Sequence, residues 1–393
     1  MHPPPSDSRS RVLHLTQPVN GGVARVVTDL VRQQLAAGLA VTVVCPDGAL
    51  STELRPLGAD VRHWHATRSP GPSLVREVRH LARVIDEVRP DLVHAHSAKA
   101  GLAGRLAVRG RIPTVFQPHA WSFEAVGGAT SALALRWERW GARWASRTVC
   151  VSEAERTTGE RAGISGRWSV IPNGVDLRRF CPAQVGAARA GLSPLHGVDP
   201  GAPLVVCVGR LCRQKGQDVL LAAWDTVAGG APGARLVLVG DGPDRERLQA
   251  SAPASVLFAG AVTDAVPWYQ AADLVVLPSR WEGMALAPLE AMACGRPVVV
   301  SDVDGARESL PPELAARCLV PPENPAALAR AVTDLLLDPR LRESLGRQGR
   351  RYVLSSHDVR HTAEAVTDVY RDLISLRPAP GVVPPEPRES IHS

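Results

Sequence analysis

At 393 residues the chain is long enough for two domains with full cores, and 45% hydrophobic content with 21% charged residues describes an ordinary globular protein. Forty-five basic against 39 acidic side chains leave a net charge of +6, carried by arginine far more than lysine, which favours anionic partners such as phosphates, acidic lipid surfaces or nucleic acid without choosing among them. Seven scattered cysteines with no C-x-x-C and no His/Cys cluster at zinc spacing read as reduced core thiols of a cytoplasmic protein, and no apolar run approaches the ~18 residues of a spanning helix.

Residues 1–10 are Pro/Ser-rich, lack the apolar stretch of a signal peptide and read as a disordered leader. Val12–Thr16 reads as a first strand, Gln17–Gly22 as a turn and Val23–Ala37 as a helix closed by Gly38. Gly21 and Gly22 would let a ligand approach the backbone closely where that helix begins, although the G-x-G-x-x-G fingerprint is absent. Strands Ala40–Cys45, Val61–Trp64, Leu92–Ala95 and Thr114–Gln117 follow, with helices Ser73–Val88 and Lys99–Val108 among them. Strands separated by helices argue for a parallel sheet covered on both faces. His94, His96 and His119 fall at strand ends, where open α/β sheets bind ligands. His94 and His96 read as structural, whereas His119 stands at the edge of the predicted cleft. Thr130–Arg147 reads as a helix with Trp137, Trp140 and Trp144 on one stripe and Arg136, Arg139, Arg143 and Arg147 on the next. That pattern reads as a core-facing Trp stripe under a solvated Arg face, with an interfacial membrane helix as the alternative. Helix Ser73–Val88, carrying Arg76, Arg79 and Arg83, is a second candidate for such a surface.

Thr148–Val151 is the next strand, Ser152 caps a helix, and Pro172–Asp176 is a turn with Asn-Gly chemistry. Residues 11–180 then form a first domain, 181–203 a linker rich in Ala, Gly and Pro, and 204–355 a second domain. Strand Leu204–Val208 ends in Gly209-Arg210-Leu211, with Lys215-Gly216 just beyond and a helix from Gln217. Two cations at the carboxyl end of a strand suit a pyrophosphate, and lysine is rare enough here for its placement to be suggestive. Strands Arg235–Val239 and Val256–Gly260 follow, and Asp264 caps a helix containing Trp268 and Tyr269. Strand Asp273–Pro278 then leads to a loop, Glu282–Leu286, and a short helix with Pro288 at its first position, stopped by Gly295 and Pro297 before strand Val298–Val300. The loop sits where unpaired helix N–H groups point outward, a ready anion site. Glu282 and Glu290 frame it as fixed acceptors, which suits a ligand with both phosphates and hydroxyls. Helices from Asn324 to Leu337, Leu341–Leu354 and His357–Ile374 complete the pattern, and residues 377–393 read as a Pro-rich disordered tail.

The pair Glu282 and Glu290, within P-S-R-W-E-G-M-A-L-A-P-L-E-A-M-A-C-G-R-P-V, resembles the E-x7-E donor-site signature of family 4 glycosyltransferases, retaining enzymes of the GT-B fold. G-R-L…Q-K-G at residues 209–216, I-P-N-G-V-D at 171–176 and V-G-D-G-P at 239–243 are similar to further motifs of that family, so the resemblance covers most of the chain. It implies two Rossmann-like α/β domains with parallel sheets facing across a cleft, the donor mostly on the second, and a helix over 356–376 crossing back to the first. It implies that Gly209, Arg210 and Lys215 hold the leaving diphosphate. Glu282, with Gly283, Met284, Ala285 and Leu286, would hold the transferred sugar, and Glu290 the ribose hydroxyls. His119 would reach the sugar, and the Gly21-Gly22 loop would touch the donor phosphate or the acceptor. The family usually has His-Gly or His-Asp where this chain has His119-Ala120, and E-G-F-G where it has Glu282-Gly283-Met284-Ala285.

The reaction these features imply moves a hexosyl group from a nucleoside-diphosphate sugar to a glycan, lipid-linked or small-molecule acceptor with retention, the leaving phosphate taking the acceptor's proton. No D-x-D-type pair suits a magnesium ion, so the expectation is a reaction needing no metal or other cofactor. The segments 96–101 and 119–123 lean towards bacterial polysaccharide or cell-envelope glycan assembly, with an anionic membrane as a peripheral contact at the inner face of the plasma membrane. Nucleic acid is not expected, since stacking aromatics, helix-turn-helix and zinc patterns are absent. A paired-carboxylate glycosidase would leave the Arg/Lys site unexplained. The other rivals are a GT-B sugar-nucleotide epimerase, which would lack the E-x7-E stretch, and a non-catalytic nucleotide-binding module.

Overall fold

The computed structural model describes residues 9–376. The leader expected over 1–10 falls outside them up to residue 8, and the tail expected over 377–393 falls outside them entirely. Continuous apolar runs buried on both faces set central strands such as Leu204–Val208, Leu274–Leu277 and Val298–Ser301, whereas Asp60–His63 and Trp168–Val170, at the edges, are only partly buried. The first sheet comprises β1 (Arg11–Thr16), β2 (Ala40–Cys45), β3 (Asp60–His63), β4 (Leu92–His96), β5 (Thr114–Gln117), β6 (Arg147–Cys150) and β7 (Trp168–Val170). The second comprises β8 (Leu204–Val208), β9 (Arg235–Val239), β10 (Val256–Gly260), β11 (Leu274–Leu277), β12 (Val298–Ser301) and β13 (Leu319–Val320). Their orders are β3-β2-β1-β4-β5-β6-β7 and β10-β9-β8-β11-β12-β13, with the pairings parallel. Order reverses at β1/β4 and at β8/β11, so the loops leaving those carboxyl ends diverge and open a crevice in each unit.

The last helix, Val359–Ser375, belongs to the first sheet's packing although it follows the second in sequence. Its Ala363, Val366, Val369, Tyr370 and Leu373 pack with Val12, Leu92, Val115 and Val149 of β1, β4, β5 and β6. The return is pinned where Val175 N–H donates to His357 O at 2.8 Å and His357 Nδ1 meets Asn173 O at 2.9 Å.

Several elements differ from the sequence-based expectation. Pro288 stands at the third position of helix Leu286–Ala293, not the first; no residue of a first turn has an intrahelical acceptor for its N–H, so proline fits there as well. The Arg/Trp helix runs Gly128–Gly141 and then tightens into a 3₁₀ turn at Ala142–Trp144, because β6 already begins at Arg147. Within 181–203 lies a short helix, Val185–Ala190, and Leu192 and Leu195 join the second unit's core. Short helices Ala49–Leu54 and Pro312–Cys318 and strand β13 were not anticipated. Among the described residues no helix is long and apolar enough to cross a membrane.

Candidate functional site

The two crevices face each other across a tight seam. Ser152 Oγ donates to Gly283 O at 2.9 Å, Asn173 Nδ2 donates to Met284 O at 2.8 Å, and the Glu308 carboxylate accepts the N–H groups of Glu153 and Ala154 at 2.7 and 2.8 Å. Glycine at position 283 allows a close approach. A Cβ there would lie 2.9 Å from Glu155 Oε1 and 3.0 Å from Ala120 N, so the loop after β11 touches the loop after β5 with nothing between.

The signatures after β8 and β11 converge. Gly216 has φ +65°, and a Cβ on it would stand 2.0 Å from Pro278 O, so glycine lets the turn after β8 lie against the end of β11. That closeness brings Lys215 Nζ to 2.5 Å from Glu282 Oε1, which also accepts from Ser279 Oγ at 2.7 Å. Glu282 is buried and Lys215 half-buried, so each finds its countercharge before any ligand arrives. Gly209 lies beside the Lys215 stem, 3.6 Å from its Cγ by the Cβ it lacks. Arg210 is exposed at the same strand end and makes no ion pair among the described residues.

Helix Leu286–Ala293 starts where helix Gly21–Ala36 starts: a Cβ on Gly22 would lie 4.0 Å from Leu286 Cδ1, and Leu286 packs into the first unit's apolar cluster. Two helix amino termini, each with unpaired N–H groups and a partial positive charge, thus meet across the cleft. Met284 is buried and Ala285 is the residue preceding the helix, so the loop 283–286 presents backbone to this space. Glu290, farther along, accepts from Tyr269 Oη at 2.7 Å. Burial raises its pKa, against the pull of the Tyr269 hydroxyl and of Arg25 and Arg179 nearby.

His119 comes from the opposite wall. It and Ala120 adopt φ of +56° and +91°, two successive left-handed residues that are not glycine. They are held by Glu155, whose Oε1 accepts from Ala120 N at 2.6 Å and whose Oε2 accepts from Val151 N at 2.8 Å. Burial pushes the Glu155 carboxyl up to about 7 despite those bonds, and burial with the charge of Asp304 does the same to Glu124. His119 as a residue is half-buried, and burial pushes its pKa down to about 3. Its Nε2 turns inward to His96 Nδ1 at 3.2 Å.

His96 leads to a cluster that sequence spacing could not show. His14, His94 and His96 are fully buried, and ring nitrogens of the three lie within 4.8 Å of one another. The cluster is assembled by strand register, His14 pairing with His94 across β1 and β4. Glu155, Glu124, Asp304 and Glu308 were likewise missed, since a lone carboxylate before or after a strand carries no spacing signal. Of the residues singled out from the sequence, Gly21, Gly22 and His119 belong to the first unit and Gly209, Arg210, Lys215, Glu282–Leu286 and Glu290 to the second. The structure brings Lys215 to Glu282, Gly209 to the Lys215 stem and Gly22 to Leu286.

Residues 20–179 match the profile of Glycosyltransferase Family 4 and residues 202–338 that of Glycosyl transferases group 1. The chain is 30% identical over 383 residues to the alpha-maltose-1-phosphate synthase of Mycolicibacterium smegmatis, covering 90% of this chain and 96% of that one. It is 26% identical over 395 residues to the UDP-Gal:alpha-D-GlcNAc-diphosphoundecaprenol alpha-1,3-galactosyltransferase of Escherichia coli, covering 93% and 98%. Among solved structures, Anabaena HepE in complex with UDP-glucose superposes with a TM-score of 0.79 at 25% identity, covering 92% of this chain and 99% of that chain.

Proposed function

The chain belongs to the family 4 glycosyltransferases, with the two-sheet GT-B fold, and from that premise we propose that it moves a hexosyl group from a nucleoside-diphosphate sugar to a glycan, lipid-linked or small-molecule acceptor with retention of configuration. The observation that carries this reading is the meeting of Lys215 and Glu282 at 2.5 Å where two helix amino termini converge. A donor entering there gives its diphosphate to Lys215, Arg210 and the N–H groups at 285–287, which neutralise the charge that builds on the leaving group. Lys215 then exchanges a carboxylate for a phosphate, and Glu282 is released to take hydroxyls of the transferred sugar. His119 approaches that sugar from the other wall, and Glu290, fixed by Tyr269, takes the ribose hydroxyls. Gly21 and Gly22 admit the donor phosphate or acceptor to the start of their helix. These residues neutralise the leaving group themselves, so the reaction is expected to run without added metal or cofactor.

Relatives named as a synthase and a galactosyltransferase favour transfer over epimerisation, and the UDP-glucose complex of HepE supports a nucleotide-sugar donor. The diphosphoundecaprenol acceptor in the name of the Escherichia coli relative supports lipid-linked chemistry at the inner face of a membrane, in polysaccharide or envelope glycan synthesis. A surface for that exists: Leu133 and Trp140, seven residues apart on helix Gly128–Gly141, are 69% and 44% exposed, and Val126 precedes them by the same interval. Beside them Arg139, Arg143 and Arg167 line an open recess of about 680 Å³, and none of the three forms an ion pair among the described residues. The Trp stripe is therefore not simply core-facing.

Thermal-shift screening against UDP-, GDP- and ADP-sugars, then assay of released diphosphate and of the product's anomeric configuration without added metal, tests the catalytic reading. An inverted product, or absence of any donor-dependent stabilisation, contradicts it. Sedimentation with vesicles tests the membrane contact, which requires stronger retention on anionic than on neutral lipid.

A further inference from the structure

The proposed chemistry uses one side of His119 and leaves Nε2 turned into the protein, where a row of buried polar groups begins. His14 on β1 lies beside His94 on β4, and His96, two residues on, lies beside Gln117 on β5, so these side chains leave the same face of the first sheet. Helix Gly21–Ala36 covers that face with Gln34, and helix Val359–Ser375 covers it with Tyr370. One step back along the same strands the face carries Val12, Leu92 and Val115. Packing alone is thus satisfied by apolar residues there, and the polar row is confined to the end nearest the cleft.

The hydrogen bonds form a directed chain. Gln34 Oε1 meets His14 Nε2 at 2.7 Å, His14 Nδ1 meets His96 Nε2 at 2.9 Å, and His96 Nδ1 meets His119 Nε2 at 3.2 Å. Gln34 Nε2 faces the Tyr370 hydroxyl at 3.5 Å, and that hydroxyl bonds His94 Nδ1. A neutral imidazole has one donor and one acceptor, so each bond fixes the next. The Gln34 amide nitrogen donates to the Tyr370 hydroxyl, which keeps the Tyr370 proton for His94 and leaves the amide oxygen for His14. His14 must then donate from Nε2 and accept at Nδ1, His96 must do the same, and His119 must carry its proton on Nε2. The Nδ1 of His119 has no partner among the described residues and is not among the enclosed unpartnered atoms.

We infer that Gln34, His14 and His96 are positioning residues that lock His119 in the tautomer whose bare Nδ1 faces the cleft, so that it accepts a hydrogen bond from a hydroxyl of the transferred sugar. The inference rests on the reading of His119 as a sugar contact, and it adds a selectivity. A lone pair at that point accepts a hydroxyl proton and repels a carboxylate, which favours neutral hexosyl groups over uronic acids as the transferred unit.

Histidine-selective ¹⁵N NMR of the full chain reads the tautomers directly, without substrate. At pH 7 we expect His14, His96 and His119 neutral and protonated on Nε2. Gln34→Met, close in volume, removes the amide that sets the direction and should leave His119 a mixture of tautomers. Its kcat/KM for sugar transfer should fall roughly tenfold, while affinity for UDP, GDP or ADP, whichever the wild-type chain binds, stays unchanged. His119 charged or protonated on Nδ1 overturns the inference, and so does an unaltered His119 tautomer in Gln34→Met. Full transfer activity in His119→Ala would instead remove the sugar contact itself, an outcome that the NMR result does not affect.

Discussion

Lys215 and Glu282 stand 67 positions apart in sequence and meet at 2.5 Å, so either substitution leaves the other charge without its partner at the point where the diphosphate is expected. Preorganised cations and acceptors of this kind contribute about 10²–10³ in rate each. Lys215→Ala and Glu282→Ala should each lower diphosphate release from the donor by that factor. Glu282→Ala leaves a half-buried ammonium that can reach water and should melt close to wild type, whereas Lys215→Ala strands the buried carboxylate and should melt lower while still folding. Near-normal turnover in either variant would remove the assignment. A second residue-scale case is Ala120, whose φ of +91° is costly for any side chain. Ala120→Gly, the pairing usual in the family, should raise stability by about 1 kcal/mol in urea denaturation. A loss of stability would mean that the Ala120 methyl makes compensating contacts.

Among the elements, the Arg/Trp helix is anchored by a buried pair. Arg105 of helix Ser97–Val108 donates to Glu138 at 2.6 Å, both side chains 1% exposed, and the guanidinium lies 4.0 Å from the Phe116 ring centroid. Ser122 Oγ supplies a further donor to Glu138 at 3.0 Å. Removing one partner of such a pair strands the other charge, so Glu138→Ala should cost about 3–5 kcal/mol of folding stability by chemical denaturation. A cost under 1 kcal/mol would show that Arg105 finds water. Nothing in the sequence pairs position 105 with 138, and the same limit recurs elsewhere. Leu204–Val208 and Arg235–Val239 were legible to the residue because strands buried on both faces write themselves as apolar runs, and Val256–Gly260, an edge strand only partly buried, by its apolar run alone. The donor-loop motifs were legible because glycine and charge stand at fixed offsets from those strands. Helices of six or seven residues, such as Ala49–Leu54 and Pro312–Cys318, are too short to show a period. The histidine row is invisible because residues 14, 94, 96 and 119 become neighbours only through sheet register.

For the molecule as a whole, that row makes stability depend on pH in a defined sense. Burial lowers the His14 pKa from 6.5 to about 4 and holds those of His94 and His96 well below 6.5, with like charge from the neighbouring histidines adding to the effect at His94 and His96. In the unfolded chain these imidazoles take up protons near 6.5, whereas in the fold His14 does so only near 4. Between those values the unfolded state holds more protons, so stability falls as pH falls. Glu155 works the other way: raised to about 7, it keeps a proton that the unfolded chain releases above about 4.5, and its stabilisation is lost as pH rises towards 7. The two sets oppose each other between about 4.5 and 6.5, so the total profile hides both, and only a difference against a variant isolates the histidine contribution. His14→Gln retains a donor and an acceptor but cannot titrate. The stability advantage of wild type over His14→Gln should shrink by about 1.4 kcal/mol for each pH unit between 6.5 and 4. Parallel stability curves for the two proteins across that window would mean that His14 takes up its proton in the fold as readily as in the unfolded chain, and below about pH 6.5 a charged His14, donating from both nitrogens, could not hold His96 in a single tautomer.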